Sequence, residues 1–437
     1  MRVFVYDEFP PETSAMLQAL YSRSAQSVVQ HAEKVREKGP ANFMASYYVG
    51  YGHASIGDCG VTTLYVEDVS LLACKAIQDN ALYSGQETST RYIDFAQQRI
   101  HDPLGTAASQ AILNGWVAFY VDHRQAVIDH LKAQFPAAPG VNEKTWAKAI
   151  AARAFDILRA FLPAGVTSQV AWTTNLRQAH EQLLRLAAHP ARETQQIAAA
   201  CLELLKERYP NSFGHRVGDD ERAYYRAVYA QESYATPAQP ELAPGDFVLE
   251  STVDNARLEA EAPGILENRP RKAGLPKSLT RFGQYHCRFL LDFGSFRDLQ
   301  RHRGGFCQMP LMTPELGFHD WYLEQLPPGL RPQAEAFIAE QMARIAALGG
   351  LSAEDRQYFL PLGMNVACDL TYDLPQMVYV AELRSGRTVH PTLRWAAQQM
   401  ALRLKELHPQ LALYADFSAD EFQLKRGTQD IVERSAA

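Results

Sequence analysis

The chain has few cysteines, no excess of basic residues and no long hydrophobic run. Its six cysteines show no CxxC spacing, which argues against a metal cluster or a disulfide framework and favours a reducing compartment. The 43 basic and 49 acidic residues give a net charge of -6, which argues against a nonspecific nucleic-acid binder. The amino terminus carries acids where a secretion signal would be basic and apolar, and no run of about 18 apolar residues occurs. We therefore expect a cytoplasmic protein with no metal site, no nucleic-acid partner and no membrane partner.

The length of 437 residues favours two domains of about 200 residues each. The segment TPAQPELAPGD at 236–246 is rich in proline and divides the chain almost in half. Such a composition is typical of a linker or a surface crossing. We predict a first domain at 1–235, a linker at 236–246 and a second domain at 247–437.

The two halves share an ordered set of short motifs. RAFLPAGV at 159–166 recurs as QYFLPLGM at 357–364, and we call these the FLP segments. Each is followed at similar distances by a Leu-Arg pair and a His-Pro pair. The ordered recurrence indicates a tandem duplication.

Hydrophobic patterning predicts a few strands and a larger helical part in each half. The fold class that we predict is α+β, with two tandem copies that each contain a small sheet. Strands are predicted at 2–6, 60–68, 246–251 and 285–293. Helices are predicted at 69–84, 109–135, 147–161, 167–187 and 294–303. In the fourth of these helices, the spacing predicts one polar face made of Asn175, Gln178, Gln182 and Arg185.

Two short polar segments are candidate anion sites. Arg301, His302 and Arg303 precede two glycines, a pattern that also suits the last turn of a helix with a left-handed glycine after it. The segment SGQETSTRY at 84–92 offers hydroxyls, backbone N–H groups and one arginine, which together could hold a phosphate. An ordinary polar loop would have the same composition, so both readings stay open on spacing alone.

Taken together, these motifs resemble the flavin-dependent thymidylate synthases. That family has a GHxS-type start, a strand, a helix ending in RHR, and then S-x-N-E-x-S-x-R-Y. Residues 52–92 match its beginning and its end, but Asp79, Asn80 and Ala81 replace the basic triplet. Residues 289–305 match the strand, the helix and RHR, but the family's Glu, Ser and Arg do not follow.

The later part of the family pattern is divided between the copies in the same way. An arginine before LP and an N-x-R motif are matched in the first copy by Arg159, Asn175 and Arg177, whereas Arg185 falls one residue short of the Leu-Arg register. In the second copy Arg384 is in register, and the other three positions hold Gln357, Asp373 and Pro375.

The resemblance implies a flavoenzyme that binds FAD and a uracil nucleotide in sites built from more than one subunit. It implies methylenetetrahydrofolate as the one-carbon donor and NADPH as the reductant. The catalytic residues it implies are Arg384, Arg159 and His53. Those implied for the substrate are Gln86, Glu87, Ser89, Arg91 and Arg301. Those implied for the cofactor are Ser55, Asn175, Arg177, Arg301, His302 and Arg303.

The copies lack opposite parts of the family's site, so we expect each copy to supply what the other has lost. The expected assembly is a homodimer that forms a pseudo-tetramer. The expected reaction is conversion of dUMP to dTMP, in which guanidinium groups stabilise charge on the pyrimidine without a cysteine nucleophile. A related flavoenzyme that modifies another pyrimidine nucleotide, such as UMP, is one alternative. A scaffold protein that binds flavin or nucleotide without catalysis is another.

Overall fold

The computed structural model describes residues 8–24, 26–50, 53–90, 95, 97–214, 218–232, 242–419 and 422–428. The α-helices are α1 Pro11–Tyr21, α2 Val28–Lys38, α3 Ala41–Phe43, α4 Leu71–Gln78, α5 Ala107–Asp122, α6 Arg124–Gln134, α7 Glu143–Leu158, α8 Leu176–Ala187, α9 Arg192–Arg208, α10 Asp219–Glu232, α11 Asn255–Glu261, α12 Pro263–Glu267, α13 Phe293–Leu299, α14 Asp320–Glu324, α15 Arg331–Ala346, α16 Ala353–Arg356, α17 Leu374–Arg384 and α18 Pro391–Leu407. The strands are β1 Val61–Ser70, β2 Ser84–Glu87, β3 Thr167–Asn175, β4 Phe247–Ser251, β5 Gln284–Asp292, β6 Phe306–Cys307 and β7 Asn365–Asp373. Short 3₁₀ helices include Ala54–Cys59, Arg159–Phe161, Lys277–Phe282, Gln357–Phe359 and Leu424–Thr428, and Met44–Gly50 is a π-helix.

The chain forms two compact units, and both units draw on the first half of the sequence. The first unit contains 1–69, 73–88 and 168–233. The second contains 70–72, 89–167 and 234–437. Among the helices of the described ranges, none is both long enough and apolar enough to cross a bilayer.

The first unit is built around a three-stranded sheet with the order β1-β3-β2. Strand β2 pairs antiparallel with β3, so that Glu87 lies opposite Val170. Val170, Trp172 and Leu176 pack in a core with Ile77 of α4. The strand predicted at 60–68 is therefore confirmed, and it is directly followed by α4.

The second unit is built around a four-stranded antiparallel sheet with the order β4-β5-β7-β6. Strands β4 and β5 confirm the strands predicted at 246–251 and 285–293. Phe289 and Tyr372 of the central strands are fully buried. They belong to a large core that also contains Met377 of α17 and Met400 of α18.

The two sheets have the same topology, as a tandem duplication predicts. In chain order, β1, β2 and β3 correspond to β5, β6 and β7, and in both sheets the third of these strands lies between the other two. Each copy runs from a strand into a helix, and later from a 3₁₀ turn into a strand and two helices. The predicted α+β class, with small sheets and larger helical parts, is confirmed.

The two FLP segments pair with each other inside the second unit. The backbone N–H of Ala164 donates to the carbonyl of Leu360 at 2.8 Å. The reciprocal bond runs from the N–H of Leu362 to the carbonyl of Leu162 at 2.9 Å. Equivalent positions of the two copies thus exchange equivalent bonds, which is the pattern of a local two-fold axis.

Several predicted helix bounds were wrong. The helix expected at 167–187 is strand β3 up to Asn175 and helix α8 after it, so the predicted four-residue polar face does not exist. The side chain of Asn175 caps α8 by accepting the N–H of Gln178 at 2.9 Å. The helix expected at 69–84 is confined to α4, and the one expected at 109–135 is divided at His123 into α5 and α6. The strand expected at 2–6 lies outside the described residues.

Gly165→Ala should destabilise the paired FLP segments. A Cβ at this position would lie 2.8 Å from the carbonyl oxygen of His101 and 2.9 Å from that of Tyr358. We expect the free energy of unfolding to fall by about 1–3 kcal/mol, as for overpacking elsewhere. Gly329→Ala is the matched control because no atom lies within 4 Å of its added Cβ. Equal denaturant midpoints for the two variants would contradict the close packing of the FLP segments.

Candidate functional site

The turn that carries Arg301, His302 and Arg303 begins after helix α13 has ended. The helix stops at Leu299, and its C-cap residue Gln300 is right-handed. Gly304 and Gly305 do not have positive φ, so the predicted left-handed glycine cap is wrong. Glycine is needed there for a different reason, because a Cβ at Gly305 would clash with the carbonyl oxygen of Thr371 in β7.

Arg384, the last residue of α17, holds this turn in place. Its Nε donates to Nε2 of His302 at 2.6 Å, and its Nη2 donates to the carbonyl oxygen of Asp298 at 2.9 Å. The ring of Tyr379 meets the His302 ring edge-on, with the centroids 5.8 Å apart. Burial, together with the charge of Arg384, lowers the pKa of His302 to about 3. His302 is therefore a neutral hydrogen-bond acceptor near pH 7.

Asp298 is a carboxylate that interacts electrostatically with several arginines of this site. Burial by itself would raise its pKa, but the combined charges of Arg301, Arg384, Arg159 and Arg297 lower it. Nε of Arg301 lies 3.4 Å from the Asp298 carboxylate, and its side chain is 43% exposed. Several guanidinium groups within reach of one carboxylate favour the binding of an anion at the exposed end of the cluster.

Arg159 lies deeper, in a polar network inside the second unit. Its Nη2 donates to Oγ of Ser295 at 3.3 Å. The Tyr322 hydroxyl donates to Asp292 at 2.7 Å. Burial acts to lower the pKa of Arg159, but Tyr322, Asp156 and Asp292 outweigh burial and raise it. The guanidinium is thus a permanently charged group in the protein interior.

Apolar side chains flank the arginine cluster at the surface. Phe306 of β6 is 53% exposed, Tyr379 is 54% exposed and Leu383 is 46% exposed. Tyr379 and Leu383 are four residues apart and so lie on the same face of α17. A planar ligand could pack on this surface while its anionic groups contact the arginines.

Glu87, which was predicted to bind nucleotide, makes a buried ion pair in the first unit. Its Oε2 lies 2.7 Å from Nζ of Lys75, and the two side chains are 1% and 0% exposed. Gln78 closes the triangle, since it donates to Glu87 at 2.9 Å and accepts from Lys75 at 3.0 Å. Gln86 is exposed on β2. Sequence reasoning missed Lys75, although a lysine within the apolar run of α4 is a signal that a carboxylate must lie near it.

The remaining predicted residues of the first unit lie near the start of α8 or before β1. His53 and Ser55 are exposed. Arg177 donates from Nε and Nη2 to the two carboxylate oxygens of Asp58, at 2.8 and 2.9 Å, and from Nη1 to Glu181 at 3.3 Å. The hydrogen bonds to Asp58 raise the pKa of Arg177.

The structure assembles only part of the predicted site within one unit. Residues of the second unit are Ser89, Arg159, Arg301, His302, Arg303 and Arg384. Residues of the first unit are His53, Ser55, Gln86, Glu87, Asn175 and Arg177. Arg91 lies outside the described residues. The ligand-binding roles of all these residues stay predictions.

Comparison with known proteins identifies the first half of the chain. The family model of the thymidylate synthase complementing protein matches residues 5–211. This part of the chain belongs to the thymidylate synthase complementing protein family. The resemblance to flavin-dependent thymidylate synthases is thereby confirmed. Membership supports a thymidylate synthase-like enzyme with folate-related one-carbon chemistry.

Relatives of similar length align with both halves of the chain. A UPF0159 protein of Chlamydia muridarum is 26% identical over 86% of this chain and 81% of its own length. One from Chlamydia pneumoniae is 24% identical over 86% of this chain and 80% of its own length. One from Thermoplasma acidophilum is 23% identical over 91% of this chain and 93% of its own length. The similarity thus extends beyond the residues that match the thymidylate synthase complementing family.

Glu87→Gln should unfold the first unit more easily, because it removes the buried carboxylate that lies 2.7 Å from the buried Lys75 ammonium. We expect a loss of about 3–5 kcal/mol in the free energy of unfolding, measured by denaturant titration. The double variant Lys75→Met with Glu87→Gln is the control and should recover most of the loss. A loss below about 1 kcal/mol in Glu87→Gln would contradict a structural role for the pair.

His302→Gln should weaken the pH dependence of stability. The folded pKa is about 3, whereas an unfolded histidine has a pKa of about 6.5. As the pH falls from 6.5 towards 3, the unfolded chain binds a proton that the folded chain does not, and stability falls by up to about 1.4 kcal/mol per pH unit. Glutamine keeps an acceptor for Arg384 without titrating. Between pH 6.5 and 4.5 the variant should therefore lose about 2 kcal/mol less than the parent.

The matched control for that titration is Gln134→Asn, which changes an exposed, non-titrating side chain at the end of α6. This variant should keep the pH slope of the parent protein. The assignment of His302 as a buried neutral acceptor is wrong if His302→Gln also keeps that slope.

Proposed function

We propose that the protein is an FAD-dependent enzyme that transfers a one-carbon unit to C5 of a uracil nucleotide. The acceptor proposed first is dUMP, with methylenetetrahydrofolate as the carbon donor, NADPH as the reductant and dTMP as the product. The working form proposed is a homodimer. The observation that supports this function most strongly is the arginine cluster of the second unit, in a chain whose residues 5–211 match the thymidylate synthase complementing family.

The residues around this cluster fit a flavin nucleotide. Arg301 has a side chain that is 43% exposed and lies 3.4 Å from the Asp298 carboxylate, so its exposed guanidinium edge can contact a phosphate or a ring carbonyl. Tyr379, whose ring lies 5.8 Å from that of His302, and Phe306, three residues after Arg303 in the chain, offer exposed rings on which an isoalloxazine or a base can pack. Arg301, His302 and Arg303 would hold the cofactor. A flavin bound there would supply the reducing equivalents that convert the transferred methylene into a methyl group.

Arg384 and Arg159 are suited to activate the pyrimidine. Carbon–carbon bond formation at C5 requires negative charge on the ring, and a guanidinium group stabilises such charge. C5 then loses its proton as the new bond is completed. An activated thiol is not required, and burial raises the pKa of Cys201 to about 11 and of Cys287 to about 12. Neither thiol is a thiolate at neutral pH.

One observation favours a second acceptor, such as UMP. Glu87 corresponds to the family's nucleotide-site glutamate, and its carboxylate is buried against Lys75. A site without that carboxylate could select a different ribose or base. This alternative keeps the same flavin and one-carbon chemistry and changes only the nucleotide.

Direct assay distinguishes these functions. The protein is loaded with FAD, reduced with NADPH and incubated with isotopically labelled methylenetetrahydrofolate and either dUMP or UMP. Label in dTMP supports the first proposal, and label in a 5-methyl derivative of UMP supports the second. A protein that binds flavin and transfers label to neither acceptor would be the scaffold, and both enzymatic proposals would be wrong.

Arg384→Ala should lower turnover by on the order of 10²-fold or more if its guanidinium stabilises charge in the transition state. Arg384→Lys should recover part of the rate, since it keeps the positive charge. Turnover is measured at saturating nucleotide, and bound flavin is measured by its visible absorbance. Arg387→Ala is the control, because this nearby arginine is exposed and pairs with Asp416 at 3.3 Å. Unchanged turnover in Arg384→Ala would exclude the catalytic role.

A further inference from the structure

The second unit contains a cavity that the proposed reaction does not use. Its volume is about 310 Å³, and it lies beside the first residues of β7 and α18 and the short helix α14. Trp321 and Trp395 contribute indole rings, Leu290 contributes an apolar wall, and Asp320 and Glu324 contribute carboxylates. The volume is within the range of small-molecule sites in proteins, about 300–1,000 Å³.

The permanently charged groups that line this cavity are acidic. Among the described residues its lining contains two carboxylates and the imidazole of His319, and no lysine or arginine. Asp320 and Glu324 are both exposed, and within the described ranges neither carboxylate forms an ion pair. Their charges act on Arg331, whose Nε is bonded to Glu335 at 2.9 Å. A phosphate or a folate carboxylate would be repelled here, and a cation would be attracted.

The indole ring of Trp395 adds a second preference for cations. One face of Trp321 already holds a cation of the protein itself, because the guanidinium of Arg153 lies 5.0 Å from its ring centroid. Trp395 meets Phe289 edge-on at 6.4 Å. Both tryptophans are half-buried and line the cavity. Indole faces bind ammonium groups well, and most strongly where water is partly excluded.

The cavity is also built from well-packed parts of the fold. Thr392 in its wall donates or accepts hydrogen bonds with Ser295 at 2.7 Å and with His390 at 2.8 Å. Asn365, another wall residue, donates to the carbonyl of Leu316 at 2.9 Å. These bonds fix the wall, so the aromatic and acidic side chains are presented on a rigid support.

We propose that this cavity binds a small organic cation through an alkylated ammonium group. The ammonium packs against the ring of Trp395 beside Trp321, and the carboxylates of Asp320 and Glu324 offset its charge. The rest of the ligand is small and uncharged, because the remaining wall combines apolar residues such as Leu290 and Pro391 with neutral polar ones such as Asn365 and Thr392. The site differs from the arginine cluster in composition and in charge, although its wall residue Thr392 bonds to Ser295, which also accepts from Arg159.

The test is calorimetric titration of the full-length protein with choline chloride and, separately, with 3,3-dimethylbutan-1-ol, the neutral carbon analogue of choline. Choline should bind saturably, and the neutral analogue should bind at least about tenfold more weakly. Equal binding of the two compounds would show that the cavity is only apolar. No saturable binding of choline would also overturn the proposal.

Variants of the cavity residues test whether choline binds in this cavity. Trp395→Leu should weaken choline binding by about tenfold, and Trp395→Phe should weaken it less, because an aromatic face remains. Asp320→Asn with Glu324→Gln should also weaken binding about tenfold and leave turnover unchanged. Trp146→Phe is the control, since this indole donates to the Phe135 carbonyl at 2.8 Å and lines no part of the cavity.

If Trp395→Leu does not fold, the double variant Asp320→Asn with Glu324→Gln still tests the proposed site, because it changes only exposed side chains. Unaltered choline affinity in the folded Trp395 variants and in the double carboxylate variant would place the binding elsewhere and contradict the proposed site.

Discussion

The contact between Arg384 and the turn after α13 determines what the second unit can do. Helix α13 is seven residues long, and its final carbonyl groups need donors from outside the helix. Arg384 supplies one donor to Asp298 O and uses another for His302. One guanidinium therefore caps a helix, fixes the turn and keeps an imidazole neutral. Arg301 lies in the same turn, 3.4 Å from the Asp298 carboxylate, and so the exposed end of the arginine cluster is next to this contact.

The duplicated scaffold uses one helix position in two ways. The backbone N–H of Leu71 donates to Val166 O at 3.1 Å, and that of Phe293 donates to Met364 O at 3.0 Å, so α4 and α13 start in the same register. Four residues later the helices carry Lys75 and Arg297, both buried. In the first copy the buried cation is neutralised by a carboxylate from the adjacent edge strand. In the second copy Arg297 is followed by two further arginines, Arg301 and Arg303, in the turn after the helix. The same architecture thus supports an internal ion pair in one copy and a partly exposed arginine cluster in the other.

Strands were predictable from the sequence where their pattern was local. The alternation at 60–68 predicted β1, and the repeated FLP segments predicted that two similar sheets would form. Strand β3 was missed because polar residues at helical spacing after Asn175 suggested a helix that extends upstream. Val170, Trp172 and Thr174 are buried at alternate positions. This period of two indicates a strand and should have outweighed the helical spacing further along the chain. The glycines after the RHR turn were assigned to a helix cap because their true constraint, the backbone of β7, is distant in sequence.

Site residues were harder to predict than strands because a motif specifies residue types and not their partners. The arginines of the second copy were found from the family pattern, and the structure places them around Asp298, which no motif had singled out. Glu87 was found from the same pattern, but its partner Lys75 is buried one helix earlier in the chain. A buried ammonium requires a nearby carboxylate whatever the motif implies, because desolvation of an isolated charge costs several kcal/mol. In a duplicated and diverged protein, such buried charges indicate which motif residues the fold itself requires.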